Sequence, residues 1–183
     1  MKELSLHILD IAQNSISAGA SIVTIKIKER IKNDSLEISV EDNGCGMSDE
    51  FAKNVTDPFT TTRTTRKVGM GIPLFKLAAV QAGGDLTLET QQGEGTKITA
   101  VMQHKNIDRS PIGDMAETIV NLVSMNDSID FLYYHLTDDG ECVFDTRQIR
   151  EIMQDVPLSN MSVLSWIREY VNENLKEINA ESF

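Results

Sequence analysis

Two pairs of alternating segments decide most of what this chain is able to fold into. SIVTIKIKE (21–29) and SLEISVE (35–41) place an apolar, often β-branched residue at every second position, and DLTLET (85–90) and TKITAVMQ (96–103) do the same around the turn QQGEG. Each reads as a half-buried strand, so each needs a cover for one face only. The neighbouring segments supply that cover. Leu4 to Ala18 carries Ile8, Ile11, Ala12 and Ile16 on one broad apolar arc and stops at Gly19. Ser48, followed by Asp49 and Glu50, caps a short helix through Asn54, and a third helix begins near Ile72, with Pro73 in its first turn, and stops at Gly83 and Gly84. Helix, two strands, helix, loop, helix, two strands is the order of an α+β sandwich of two layers.

The pattern changes at HKNIDRSPIGD (104–114), where polar residues surround Pro111 and Gly113. A domain boundary is predicted there, with residues 1–104 on one side and 105–183 on the other. The second part reads as a small helix–hairpin–helix module in the order αββαα: MAETIVNLV, then IDFLYYHL and ECVFDT around Asp138-Asp139-Gly140, then RQIREIMQD and VLSWIREYVNENLKEI. Val163, Trp166, Ile167, Tyr170 and Val171 form an apolar stripe on the last helix, which reads as core or as part of a surface for a protein partner.

Charge and composition narrow the partners. Lys plus Arg is 17 against 28 Asp plus Glu, a formal charge of −11, which argues against nucleic acid or an anionic membrane as the general partner. No apolar run approaches the roughly 18 residues of a membrane span. The start, MKELSLHILD, lacks the basic-then-apolar pattern of a signal peptide. Cys45 and Cys142 are far apart without a Cys-x-x-Cys partner, so neither a disulfide framework nor a cysteine zinc site is indicated. A reduced, cytoplasmic protein is expected.

Three separated pieces carry candidate chemistry. Asp10 and Asn14 stand four residues apart on the first helix, about 40° apart around its axis, and so face the same way. The first offers an acceptor or base and the second a neutral oxygen suited to Mg²⁺, although both also fit plain solvent-facing residues. In EDNGCGM (41–47), Asp42 ends a β-patterned run and is followed by Gly44 and Gly46, which allow close approach of the backbone to a ligand. A carboxylate there suits the exocyclic amine of a purine, and a simple Asn-Gly turn is the plainer reading. Cys45 between the glycines reads as a small packed residue. The stretch from Asp57 to Gly71 gathers five threonines with Arg63, Arg66 and Lys67 in an otherwise acidic chain, and Gly69, Met70 and Gly71 precede a helix. Backbone N–H groups before a helix, with basic side chains nearby, suit phosphate, while a solvated loop has the same composition.

In this order, LDIAQNSISAGAS, EDNGCGM, DPFTTTR, VGMGIPL and GEGTKITAVM, the chain resembles the N, G1, F, G2 and final-strand boxes of the GHKL (Bergerat) ATP-binding fold shared by gyrase, the heat-shock chaperone, histidine kinases and MutL. The resemblance covers roughly residues 1–104. It implies a two-layer α/β sandwich with a mixed sheet and ATP beneath a mobile lid. It also implies Asn14 on Mg²⁺ and Asp42 on adenine, with Gly44, Gly46, Met47, Gly69, Met70 and Gly71 shaping the pocket and Thr96 near the base. Thr61, Thr62, Arg63, Arg66 and Lys67 fall to the lid and the phosphates, and Asp10 to the attacking nucleophile. Many family members have Glu where Asp10 stands, and a carboxylate one methylene shorter reaches roughly 1.5 Å less far. None of His7, His104 and His135 lies in a phosphoacceptor pattern, so autokinase activity would need a partner. The expectation is a Mg-ATP-binding regulatory protein with slow hydrolysis or phosphoryl transfer to a protein, the alternative being a nucleotide-dependent binding module without turnover.

Overall fold

The computed structural model describes residues 2–55 and 70–182. Six strands, β1 (Ile22–Arg30), β2 (Ser35–Asp42), β3 (Asp85–Gln91), β4 (Gly95–Met102), β5 (Asp130–Leu136) and β6 (Glu141–Asp145), form one sheet in the order β3-β4-β2-β1-β5-β6. Every neighbouring pair is antiparallel except β1 and β5, so the sheet is mixed. The helices are α1 (Leu4–Ser17), α2 (Asp49–Val55), α3 (Gly71–Gln81), α4 (Met115–Met125), α5 (Thr146–Met153) and α6 (Met161–Glu177). Among them α3 packs on β3 and β4, α1 on β1 and β2, α4 on β5 and α6 on β6, while helix touches helix in the sequence α3, α1, α4, α6. Two layers result, as the alternation requires.

The period of two places Val23, Ile25 and Ile27 of β1, Leu36, Ile38 and Val40 of β2, and Ile98, Ala100 and Met102 of β4 against the helices, all buried. Most outward residues of the same strands are polar, among them the partly exposed Lys28, whose Nζ bonds Glu37 Oε1 at 2.7 Å. The connection between β1 and β2 is a 3₁₀ turn, Ile31–Asn33, closed by Asp34 in the left-handed region at φ 51°.

Residues 105–183 contain the expected αββαα order, but they do not stand apart as a module. β5 pairs along seven residues of β1, from Ile22 with Asp130 to Lys28 with Leu136, and Phe131 and Tyr133 lie fully buried in the same core. The physical reason lies in β1. Val23, Ile25 and Ile27 make most of its inward row apolar, and as an edge strand it would present that row beside unpaired N–H and C=O groups. On α6 the core stripe runs through Val163, Ile167, Val171 and Leu175, at strict four-residue spacing, all buried. Trp166 and Tyr170, expected in that stripe, lie on its flank, stacked on one another at 5.2 Å with Trp166 42% exposed. Among the described residues no helix is long and apolar enough to cross a membrane.

Candidate functional site

Helix α1 is the spine of the site, and each half of it meets a different loop. Its C-terminal half holds the turn after β2. Ser15 Oγ donates to Asp42 Oδ2 at 2.5 Å, the Gly44 amide donates to Asp42 Oδ1 at 2.9 Å, and the Cys45 amide donates to the Ala18 carbonyl at 2.9 Å. Both oxygens of Asp42 therefore have a donor, which fixes the orientation of a half-buried carboxylate. Asn43 ties the turn to the start of β1, its Oδ1 accepting from the amides of Ser21 and Ile22 at 2.9 and 3.0 Å.

Gly46 of this turn is required by contact. At Gly46, φ is +61°, and a Cβ there would lie 2.0 Å from the Gln91 carbonyl oxygen. The next amide, Met47 N, donates to Thr90 Oγ1 at 2.9 Å, and Thr90 Oγ1 lies 3.1 Å from Thr96 Oγ1. Thr96 is paired directly opposite Asp42, so the inward rows of β2 and β4, apolar elsewhere, end side by side in a polar patch. Of its members, Ser15 and Thr90 were not singled out from the sequence. The available signals were Ser15 following Asn14 and Thr90 continuing the inward phase of Leu86 and Leu88.

The N-terminal half of α1 meets the start of α3. Gly71 lies against Asp10, where a Cβ would stand 2.2 Å from Oδ2, so a side chain there would displace the carboxylate. Asp10, Gln13, Leu6, Leu9, Met70 and Leu74 help line an open groove of about 390 Å³ between the two helices. Among the described residues, neither Asp10 nor Asn14 uses its side chain in a hydrogen bond or ion pair. One turn before Asp10, His7 stacks on Phe75 of α3 with ring centroids 5.3 Å apart. Burial pushes its imidazole down to about 4, so the ring is neutral at pH 7.

The structure thus brings Asp10 to Gly71, and Asp42, Gly44, Gly46, Met47 and Thr96 to one another. Asn14 stands beside Ser15, between the two groups. Thr61, Thr62, Arg63, Arg66, Lys67 and Gly69 lie outside the described residues. Cys45, expected as a packed residue, is instead exposed: its N–H and C=O are held by Ala18 and by the Gly93 amide, and its thiol donates to the Gly46 carbonyl at 3.5 Å. Cys142 is buried, and burial pushes its thiol up to about 11, leaving it inert.

The family model described as "Histidine kinase-, DNA gyrase B-, and HSP90-like ATPase" matches residues 2–106. The signal transduction histidine-protein kinase AtoS of Escherichia coli (strain K12) is 33% identical over 103 residues, which is 56% of this chain and 16% of that protein. The sensor protein kinase FleS of Pseudomonas aeruginosa is 34% identical over 95 residues, 52% of this chain and 23% of that protein. This chain therefore spans less than a quarter of the length of these curated relatives. A crystal structure of the N-terminal domain of a DNA repair protein has a TM-score of 0.51 at 15% identity, covering 78% of this chain and 52% of that one. That likeness is one of fold, and it takes in more of the chain than the family match does.

Proposed function

The chain belongs to the histidine kinase-, DNA gyrase B- and HSP90-like ATPase family, and from that premise we propose that it binds Mg-ATP between α1, the 42–47 turn and the start of α3, and hydrolyses it slowly or passes its γ-phosphoryl group to a protein partner. The observation that carries this reading is a carboxylate fixed at the C-terminal half of α1 together with one at its N-terminal half that, among the described residues, is unengaged. Asp42, held by Ser15 and Gly44, is oriented to accept the exocyclic amine of adenine, with Thr96 opposite it. Asp10, set against Gly71 and unengaged among the described residues, is available to orient or deprotonate a nucleophile.

The remaining residues fit the same reading. Gly44, Gly46 and Met47 frame the base, and Met70 and Gly71 open α3 where N–H groups suit phosphate. Asn14, whose amide makes no hydrogen bond among the described residues, would hold Mg²⁺, which when bound neutralises charge on the phosphate oxygens. Thr61, Thr62, Arg63, Arg66, Lys67 and Gly69 are assigned to the phosphates by their composition and place in the chain. A protein acceptor is part of the proposal because none of the three histidines has the setting of a phosphoacceptor: His7 and His135 are buried and His104 is bonded to Glu29. The setting proposed is the cytoplasm, in keeping with two unpaired cysteines.

Phosphate release from Mg-ATP, measured beside calorimetric ATP binding, tests this. Asp10→Asn is expected to keep ATP and lose turnover, the signature of a group acting in the transition state. Equal release by both proteins favours the nucleotide-dependent binding module, the second reading, which the short reach of Asp10 supports. Absence of ATP binding overturns both.

A further inference from the structure

At the end of the sheet away from Asp42, the inward row of β1 finishes in Glu29, a carboxylate in a phase otherwise held by Val23, Ile25 and Ile27. Six residues of strand separate it from Val23, the partner of Asp42, a distance of roughly 20 Å. Its side chain is 1% exposed and stands among polar groups from three remote parts of the chain. His104 Nε2 lies 3.0 Å from Glu29 Oε2 and 3.6 Å from Oε2 of Glu181, in the C-terminal tail.

We propose that Glu29, His104 and Glu181 form a binding site for a divalent transition-metal ion of the zinc type, which clasps the C-terminal tail to the end of the sheet. The ligand atoms all lie within 4.8 Å of one another. Zinc held tetrahedrally at about 2.0–2.2 Å places its ligand atoms about 3.3–3.6 Å apart; the His104–Glu181 distance of 3.6 Å lies in that range and the His104–Glu29 distance of 3.0 Å a few tenths of an ångström below it. An imidazole nitrogen beside two carboxylates suits zinc, where magnesium and calcium take oxygen alone.

The surroundings are those of a supported site. Glu29 Oε1, the oxygen turned away from His104, accepts from His135 Nε2 at 2.6 Å and from the Glu181 amide at 3.0 Å, and His135 Nδ1 in turn meets the Tyr133 hydroxyl at 2.6 Å. Arg109 grips both oxygens of Glu181, at 3.1 and 2.7 Å, and the Ile112 amide adds a third bond at 3.3 Å. Each proposed carboxylate ligand is thus oriented by an outer partner, as metal ligands are. Two carboxylates against one guanidinium leave the cluster negative when both imidazoles are neutral. His104 and Glu181 are 11% and 30% exposed, which leaves a way in and room for water as a fourth ligand. Binding selects the His104 tautomer with its proton on Nδ1 and the Nε2 lone pair on the metal.

The test is zinc titration into the chelator-treated full chain, without nucleotide or Mg²⁺, followed by calorimetry and thermal unfolding. One zinc per chain and a raised Tm are expected, with affinity at least about tenfold weaker in His104→Gln and in Glu181→Gln. Both variants are expected to keep ATP binding and the wild-type circular dichroism. Asn14→Ala is expected to keep zinc, which separates this site from the nucleotide end. Should His104→Gln fail to fold, Glu181→Gln, on the more exposed side, carries the comparison. Unchanged zinc affinity in the folded variants, loss in Asn14→Ala alone, or no binding to the wild type overturns the proposal and leaves a proton holding the cluster.

Discussion

Acidification singles out His7. The ring is 2% exposed, and among the described residues its Nδ1 has no hydrogen-bond partner. Its pKa falls from 6.5 to about 4 because burial penalises the charged form. The sign follows directly. Between those two values the unfolded chain carries the proton and the folded chain does not, so stability falls as pH falls through the window and levels off below the folded value. At 1.36 kcal/mol per unit, the loss between pH 7 and pH 4 is about 3 kcal/mol, against a typical total of roughly 5–15 kcal/mol. His7→Leu removes the titration and the orphaned nitrogen while keeping an apolar contact with Phe75. Urea unfolding, followed through the single tryptophan, measures both proteins from pH 7 to 4.5. The variant is expected to be as stable as wild type or more so at pH 7, and to gain about 2–3 kcal/mol on it by pH 4.5. A difference between them that does not change with pH refutes the reasoning.

Three further outcomes follow from the geometry. Asp42→Asn is expected to weaken ATP binding and erase preference over GTP, since it takes away the oriented carboxylate; calorimetry with both nucleotides checks this, and unchanged affinity and preference reject the assignment. Gly46→Ala sets a Cβ 2.0 Å from the Gln91 carbonyl at a positive φ, with an expected cost of about 2 kcal/mol or more in urea unfolding together with weaker ATP binding. Truncation after Lys105 strips β5 from β1 and α4 from α1, so the fragment is expected to lose cooperative unfolding by circular dichroism, and a cooperatively folding fragment that binds ATP contradicts this.

What was legible in the sequence was whatever a local period or a glycine encodes. α1 stops where Gly19 takes φ +77°, and the four strands of residues 21–103 follow their alternation to within a residue or two. The turn at 42–46 was readable as a site because of its glycines, of which Gly46 stands where contact admits no side chain. Pairing was not readable, because strand partners far apart in the chain leave no mark on either segment: nothing in IDFLYYHL says that it lies parallel to SIVTIKIKE. Trp166 was misplaced for a related reason, since three- and four-residue spacing admits two adjacent stripes and only Leu175, a further turn on, identifies the buried one. The cluster around Glu29 was hidden in the same way, although a glutamate in the inward phase of an otherwise apolar strand was a sign available from the sequence.

The parallel pairing of β1 with β5 has a consequence for how the protein is made. Ile22 waits for Asp130, more than a hundred residues later, to complete its ladder. At about 5–20 residues per second, a ribosome needs roughly 5–20 s to deliver that partner. Towards the end of this interval, once residue 106 has been made, the segment matched to the ATPase family is complete in sequence but keeps one flank of β1 open. The nascent chain is then at its most adhesive, and holding chaperones have their longest opportunity to engage it. Since loop closure over so long a separation also slows refolding, recovery after denaturation is expected to depend on protein concentration more steeply than the small size of the chain suggests.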